Sequence, residues 1–346
     1  MDLKNKSIFN VEDNFLKYKQ YSSVLIFGEK EKTQKPKLSI CIPVYNRQEY
    51  IIDSIQSVLC QATNDVVYEV VIVHDEPISL GETLTSQAIL SFDDDRIMYY
   101  RNTRNLGLFA NMNRCAELAR GEWIVYLHDD DLLVNNYIEI VSEMIGLNEF
   151  DGLIPEFLPF DSKIKLKAIA SEVQTETPIS VVKIKYHDSL LLNKNIYRAP
   201  TCGIIFNRAK FFDLGGYNEE YYPSSDWFFA FKFNYHYRLV KSKRVLGFYR
   251  LENNESFKYH TMLKFIDNFF DFRYLTKNKS ILINIFRNYF INEQFYHHTA
   301  WIKKYDRDNL IDWEGLDQSR YFKIRRIRSF IYRKIRRRIL NKYSLK

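Results

Sequence analysis

The chain of 346 residues is 46% hydrophobic, enough for a substantial core, and its four widely spaced cysteines (Cys41, Cys60, Cys115, Cys202) form no CxxC pair, which argues against a disulfide framework or a zinc site. The first residues lack the apolar core of a signal peptide and no apolar run is long enough to span a bilayer, so a cytoplasmic protein is expected. The formal net charge of +7 is unevenly held: residues 320–346 carry twelve Lys or Arg and no acid, leaving 38 basic against 43 acidic residues elsewhere, which excludes a nucleic-acid footprint spread over the folded body.

Residues 1–36 read as a polar, Lys-rich N-terminal extension. The run Leu38-Ser-Ile-Cys-Ile-Pro-Val44 predicts a buried strand, and Asn46 with Glu49 offers an N-cap and its reciprocal acid for a helix ending near Cys60. Further strands are expected over 68–73 and 96–100 with a helix between them, then a helix over 108–119 that Gly121 stops. A fourth strand, 122–127, leads into Asp129, Asp130 and Asp131. Later segments suggest a strand at 201–206, a helix at 225–235 and a strand at 245–249. Beyond residue 256 the chain turns aromatic and helical, at 265–272 and 281–286. Alternating strands and helices predict an α/β fold with a mainly parallel central sheet flanked by helices. In such sheets ligands bind outside the carboxyl ends of the strands, where Tyr45-Asn46, His74-Asp75 and Asp129-Asp130 would converge.

Three adjacent carboxylates repel one another, so a counter-charge or a set of donors is expected beside them. A hard divalent cation, Mn²⁺ or Mg²⁺, prefers oxygen ligands and commonly takes only one or two carboxylates, leaving other positions to substrate phosphates. The alternative is that the aspartates cap a following helix.

Several segments together resemble a family 2 glycosyltransferase of the GT-A fold. They are Ser39-Ile-Cys-Ile-Pro-Val-Tyr-Asn-Arg47, Val70-Val-Ile-Val-His-Asp75, Asn105-Leu-Gly107 with Asn113, Leu127-His-Asp-Asp-Asp131, Gly215-Gly-Tyr217, Ser225-Asp-Trp227 and Tyr249-Arg250. The resemblance implies a GT-A domain over 37–256, and the aromatic, helical pattern beyond it predicts a helical C-terminal region over 257–346. The resemblance also implies inverting, metal-dependent transfer of a single sugar from a nucleotide donor, a UDP-sugar. The acceptor would be a hydroxyl of a glycan, polyprenyl-diphosphate-linked, in bacterial polysaccharide synthesis.

Carried onto this chain, the resemblance places Pro43, Val44, Tyr45 and Asn46 along the donor base, although Pro43 could simply end a strand. Asp75 would accept a hydrogen bond from the base; Asn105, Gly107 and Asn113 would complete the donor side. Asp129 would lie near the ribose, with Asp130 as the principal metal ligand and Asp131 in support. The family's first acid of this tract is replaced by His128, for which packing or hydrogen bonding is expected. Arg250 would meet the diphosphate, and Glu252 stands where relatives often carry His. Asp226 is nominated as the base that deprotonates the acceptor, the alternative being a helix cap. Clustered carboxylates would also suit a metal-dependent phosphohydrolase or nucleotidyltransferase, and the altered motif positions a non-catalytic sugar-nucleotide binding protein.

The last segment places Ile324, Ile327, Ile331 and Ile335 on one helical stripe among Arg and Lys. A basic amphipathic helix of this kind could dock on an anionic membrane surface, pack on the domain, or bind RNA. Membrane docking through 320–346 is the favoured expectation, at the inner face of the plasma membrane.

Overall fold

A computed structural model describes residues 7–29, 34–61, 66–147, 149–161, 181–184 and 201–276. At its centre lie β2 (Leu38–Val44) and β3 (Tyr68–His74), each buried at every position, as continuous apolar strands covered on both faces must be. Parallel pairing joins β2 to β3, β3 to β4 (Ile97–Asn102), and β2 to β5 (Trp123–Tyr126). The intervening helices are α1 (Ile51–Leu59), α2 (Leu84–Leu90) and α3 (Leu108–Leu118). α3 packs on β2 and β3, and the Tyr126 hydroxyl donates to the Met112 carbonyl within it at 3.1 Å.

The far half of the sheet is mixed. After the short β6 (Leu132–Leu133) and α4 (Tyr137–Leu147), β7 (Gly152–Phe160) lies parallel to β10 (Leu239–Arg250) but antiparallel to β9 (Ile204–Asn207), which itself runs antiparallel to β5. β6 and β8 (Val181–Lys183) each pair antiparallel with β10. Between β9 and β10 stand α5 (Arg208–Asp213) and α6 (Ser225–His236). The expected α/β architecture is present, wholly parallel in the β4-β3-β2-β5 half and mixed beyond it, where β7 and β10 form a further parallel pair.

Three local readings are revised. The supposed polar extension contributes β1 (Ser23–Phe27), an antiparallel edge strand on β4. Its half-exposed alternation gave too weak a periodic signal beside the surrounding lysines. Asn46 does not cap α1: its φ of +51° places it in the left-handed region, which Asn tolerates at a sharp turn, and α1 begins five residues later without a side-chain cap. Gly121 does not end α3 by a left-handed cap either. It is needed because a Cβ there would meet Ser39 Oγ at 2.6 Å, and its N–H donates to that hydroxyl at 2.8 Å.

The chain divides into two compact units. One comprises Ile8–Tyr186 with Arg198–Glu252 and contains the whole sheet. The other comprises Met1–Ser7, His187–Tyr197 and Asn253–Lys346, and its described part holds α7 (Tyr259–Leu275), where the helix expected at 265–272 lies. The helix expected at 281–286 and the basic segment 320–346 lie outside the described residues. Among the described residues no helix is long and apolar enough to cross a membrane.

Candidate active site

The carboxyl ends of β2, β3 and β5 lie side by side because these strands are neighbours in the parallel half of the sheet. Pro43 and Val44 are the buried last residues of β2, and the next ring, Tyr45, is 55% exposed. Such a ring offers a flat apolar face to a base. The Tyr45 N–H donates to Asp129 Oδ2 at 3.2 Å, joining the turn after β2 to the aspartate tract.

Asp75 follows β3 and is almost fully buried. Its Oδ1 accepts from Asn102 Nδ2 at 2.7 Å and from the Leu106 N–H at 2.9 Å; its Oδ2 accepts from the Gly107 N–H at 2.9 Å. Burial pushes this carboxyl up to about 6 despite those three donors. Asn102 is held in turn by Asn111 Oδ1 at 2.9 Å. Gly107, at φ +88°, turns the chain into α3, and Asn105 Oδ1 accepts from its N–H at 3.1 Å. Glu219 Oε2 then accepts from the N–H groups of Phe109 and Ala110 at 2.9 and 3.1 Å. The N–H groups of Gly107, Phe109 and Ala110 at the amino end of α3 are thus taken by protein carboxylates and not left open to an anion.

Burial alone would raise the Glu76 carboxyl, but hydrogen bonds from His74, Thr85 and the Asn46 N–H hold it low. His74, buried and paired with Tyr99 Oη on β4 at 2.9 Å and with Glu76 at 2.5 Å, thus fixes Glu76, and Glu76 in turn joins the turn after β3 to the Asn46 N–H in the turn after β2.

Within the tract the carboxylates differ. Asp129 and Asp130 are each 8% exposed and face Arg47, whose nitrogens lie 3.9 Å from both. Asp131 is fully buried, its Oδ1 accepting from the Arg250 N–H at 2.9 Å. Burial, and next the charge of Asp130, push both Asp129 and Asp131 above the ordinary carboxylate range. Asp131, expected as a supporting metal ligand, is turned inward, whereas Asp129 and Asp130 lie together beside Arg47. His128, as expected, is held by a hydrogen bond to Thr201, and burial lowers its pKa.

Among the described residues no three His, Cys, Asp or Glu side chains form a metal-holding cluster by themselves. The donor set nevertheless fits a hard cation shared with phosphate oxygens. Asp129 and Asp130 supply oxygen donors from one tract, and their charge is met at 3.9 Å by a single guanidinium.

Two further expected donor contacts fall on side chains that the structure engages within the protein. Arg250 is 2% exposed and its guanidinium is already engaged: Nε donates to the Asp130 carbonyl at 2.8 Å, a terminal nitrogen pairs with Asp53 at 3.1 Å, and the Tyr50 and Phe160 rings lie 4.5 and 4.6 Å away. It holds the tract in place, leaving Arg47 as the cation that faces the carboxylates. Asn113 is also buried, its amide exchanging two hydrogen bonds with the Tyr217 backbone at 2.8 and 2.9 Å. It clasps the Gly215-Gly-Tyr217 turn to α3 and is not turned to a donor.

Asp226 stands in the first turn of α6 and is half-buried. Burial pushes its carboxyl up to about 6, partly offset by the Trp227 N–H, which donates to Oδ1 at 2.7 Å. It is not the N-cap, a position held by Ser224. A carboxylate ionised at neutral pH but more basic than usual suits proton abstraction. Sequence reasoning passed over Arg47, Asp53, Asn102 and Glu219; only Arg47, beside Asn46 in a quoted segment, carried a readable signal.

The chain is similar to several known glycosyltransferases in sequence and fold. An uncharacterized glycosyltransferase of Mycoplasma genitalium is 26% identical over 175 residues, covering 47% of this chain and 57% of its own length. One from Methanocaldococcus jannaschii is 26% identical over 250 residues, covering 65% and 82%. The Campylobacter jejuni GalNAc(5)-diNAcBac-PP-undecaprenol beta-1,3-glucosyltransferase is 32% identical over 109 residues, 31% of this chain and 34% of that one. The chain thus spans less than two thirds of the length of several of the curated relatives it matches. Among solved structures, Staphylococcus aureus TarS 1-349 in complex with UDP-GlcNAc superposes with a TM-score of 0.57 at 18% identity, covering 75% of this chain and 73% of that one, a likeness of fold. The Glycosyl transferase family 2 profile matches residues 39–213, more than half of the chain, from the first residues of β2 through α5. The chain belongs to glycosyl transferase family 2.

Proposed function

We propose that this protein transfers one sugar, with inversion, from a nucleotide-sugar donor, a UDP-sugar, to a hydroxyl of a glycan acceptor, with Mn²⁺ or Mg²⁺ as cofactor. The observation that carries the reading is the Tyr45 N–H bond to Asp129, which brings a ring fit for a base next to carboxylates fit for a diphosphate-bound cation. Pro43, Val44 and Asn46 shape that turn, and Asp75 with Asn105 and Gly107 forms its neighbouring wall. A divalent ion at Asp130 and Asp129 would supply neutralising charge for the departing diphosphate. Asp226 takes the acceptor proton as the hydroxyl oxygen attacks the anomeric carbon and the bond to the diphosphate breaks.

The UDP-GlcNAc bound by TarS supports a uridine donor, and the name of the Campylobacter relative supports a polyprenyl-diphosphate-linked acceptor in polysaccharide synthesis. Such an acceptor would place the enzyme at the cytoplasmic face of the membrane, with 320–346 as its lipid-facing segment. Incubation with UDP-sugars and product analysis tests the reading. Intact UDP together with a glycosylated acceptor supports it; inorganic phosphate or a new nucleotide sugar as the product would overturn it.

A further inference from the structure

Residues 8–21 lie outside the stretch shared with the family and before the first strand, yet they run across the segment that carries Asp226. Asn14 donates from both its backbone N–H and its Nδ2 to the Gly215 carbonyl, each at 3.0 Å. Gly215, at φ +75°, permits this approach, for a Cβ there would meet the Glu12 carbonyl oxygen at 1.9 Å. Phe15 stacks on Phe212 with ring centroids 4.5 Å apart and planes 15° from parallel. The backbone of α5 and of the Gly-Gly turn is therefore pinned from outside the sheet.

The pinning continues to α6. Lys17 Nζ donates to Asn218 Oδ1 at 3.2 Å, and Asn218 Nδ2 donates to Glu12 Oε2 at 3.4 Å, so strap residues hold both ends of one amide. The Asn218 backbone carbonyl in turn accepts from Ser225 Oγ, the residue before Asp226. At the other end of the helix Phe9 packs on Tyr235 at 4.6 Å, and its carbonyl meets His236 Nε2 at 3.2 Å. The helix bearing Asp226 is tied to the strap at both termini.

We propose that this N-terminal strap is a positioning element for Asp226, acting through Asn218. The inference rests on the reading of Asp226 as the acceptor-side base. Ser225 then has a use: its hydroxyl passes the register of Asn218 to the first turn of α6. Tyr45, Asp129 and Asp130 are held by β2, β5 and Arg250, so loosening the strap should misplace the base while leaving nucleotide binding intact.

The test compares Asn218→Ala, Asn218→Asp and Gly215→Ala with Asp226→Asn in the full chain. It measures kcat, KM for donor and acceptor, UDP affinity with Mn²⁺, and thermal unfolding. Asn218→Ala and Gly215→Ala should lower kcat by about ten- to a hundredfold, the scale on which a displacement of about 1 Å slows a positioned reaction, with UDP affinity unchanged. Asn218→Asp keeps an oxygen facing Lys17 but sets a carboxylate against Glu12, so it should recover kcat only in part. A folded Asn218→Ala protein with wild-type kcat, or one whose UDP affinity falls in parallel with kcat, overturns the proposal; this variant decides the matter even if Gly215→Ala does not fold. Full turnover by Asp226→Asn would remove the base reading and the strap proposal together. An inactive Asp226→Asn beside wild-type kcat in the strap variants would remove the strap proposal alone.

Discussion

The Arg250 guanidinium donates from Nε to the backbone carbonyl of Asp130 at 2.8 Å, while the same residue's N–H holds Asp131 Oδ1 at 2.9 Å. One arginine at the end of β10 thereby fixes the loop after β5. Its charge is offset by Asp53 on α1, and its faces are covered by Tyr50 and Phe160.

Arg250→Ala should therefore act on stability and on cation binding together. It removes a buried charge-assisted latch and the packing of two rings, an expected loss of about 3 kcal/mol in urea unfolding, at the lower end for a buried pair because Asp53 is partly exposed. The loosened tract should weaken Mn²⁺-dependent UDP binding by about tenfold, the usual scale when a group supporting metal ligands is removed. Arg250→Lys keeps the charge but not the forked geometry and should fall between the two.

The pH dependence should follow Asp226. Its carboxyl, pushed up to about 6 by burial, is ionised above that value and protonated below it, so the base is lost as pH falls through about 6. The acid limb of kcat should lie there, and not near the ordinary carboxylate value of about 4. Stability moves the opposite way. The folded state binds this proton more readily than the unfolded chain, so the contribution of Asp226 to stability declines as pH rises from about 4 through 6. Asp75, also raised to about 6, adds to stability with the same sign. A kcat profile whose acid limb stays near 4 would refute the base assignment.

What was legible in the sequence is what local pattern encodes. β2, β3 and β5 announce themselves as unbroken apolar runs, and the polar residues that end them, Tyr45, Asp75 and Asp129, must share an edge once the strands are parallel neighbours. The Arg250–Asp53 pair was not legible, because its partners are 197 residues apart and nothing local marks a surface carboxylate on α1 as the counter-ion of a strand end. Asn113 misled for a related reason. A polar residue on a helix reads as available until the turn at Tyr217, 104 residues later, is seen to use it. β1 was hidden because an edge strand needs only one half-buried face, which lysine-rich flanks obscure.

Residues 320–346 should decide membrane association. A helix presenting Ile324, Ile327, Ile331 and Ile335 amid twelve Lys or Arg would gain both apolar burial and attraction to anionic lipid. The full chain should float with vesicles containing anionic lipid, lose that binding as salt rises, and fail to bind neutral vesicles. Equal flotation of a chain lacking 320–346 would count against the segment as the anchor.

The aspartate tract should show a trade between stability and function. Burial, and next the charge of Asp130, raises the carboxyls of both Asp129 and Asp131, so in the metal-free protein Asp130 adds to the cost of ionising its two neighbours. Asp130→Asn keeps the shape of the side chain and leaves its backbone carbonyl free to accept from Arg250, while relieving both neighbours. The melting temperature of the metal-free protein should rise by about 2–4 °C, the shift expected for roughly 1 kcal/mol in a chain of this size. The same substitution removes the principal oxygen ligand proposed for the cation, so Mn²⁺ should no longer stabilise the protein or tighten its binding of UDP. A lowered melting temperature would show that Arg47 already neutralises the tract; an undiminished Mn²⁺ response would move the cation away from Asp130.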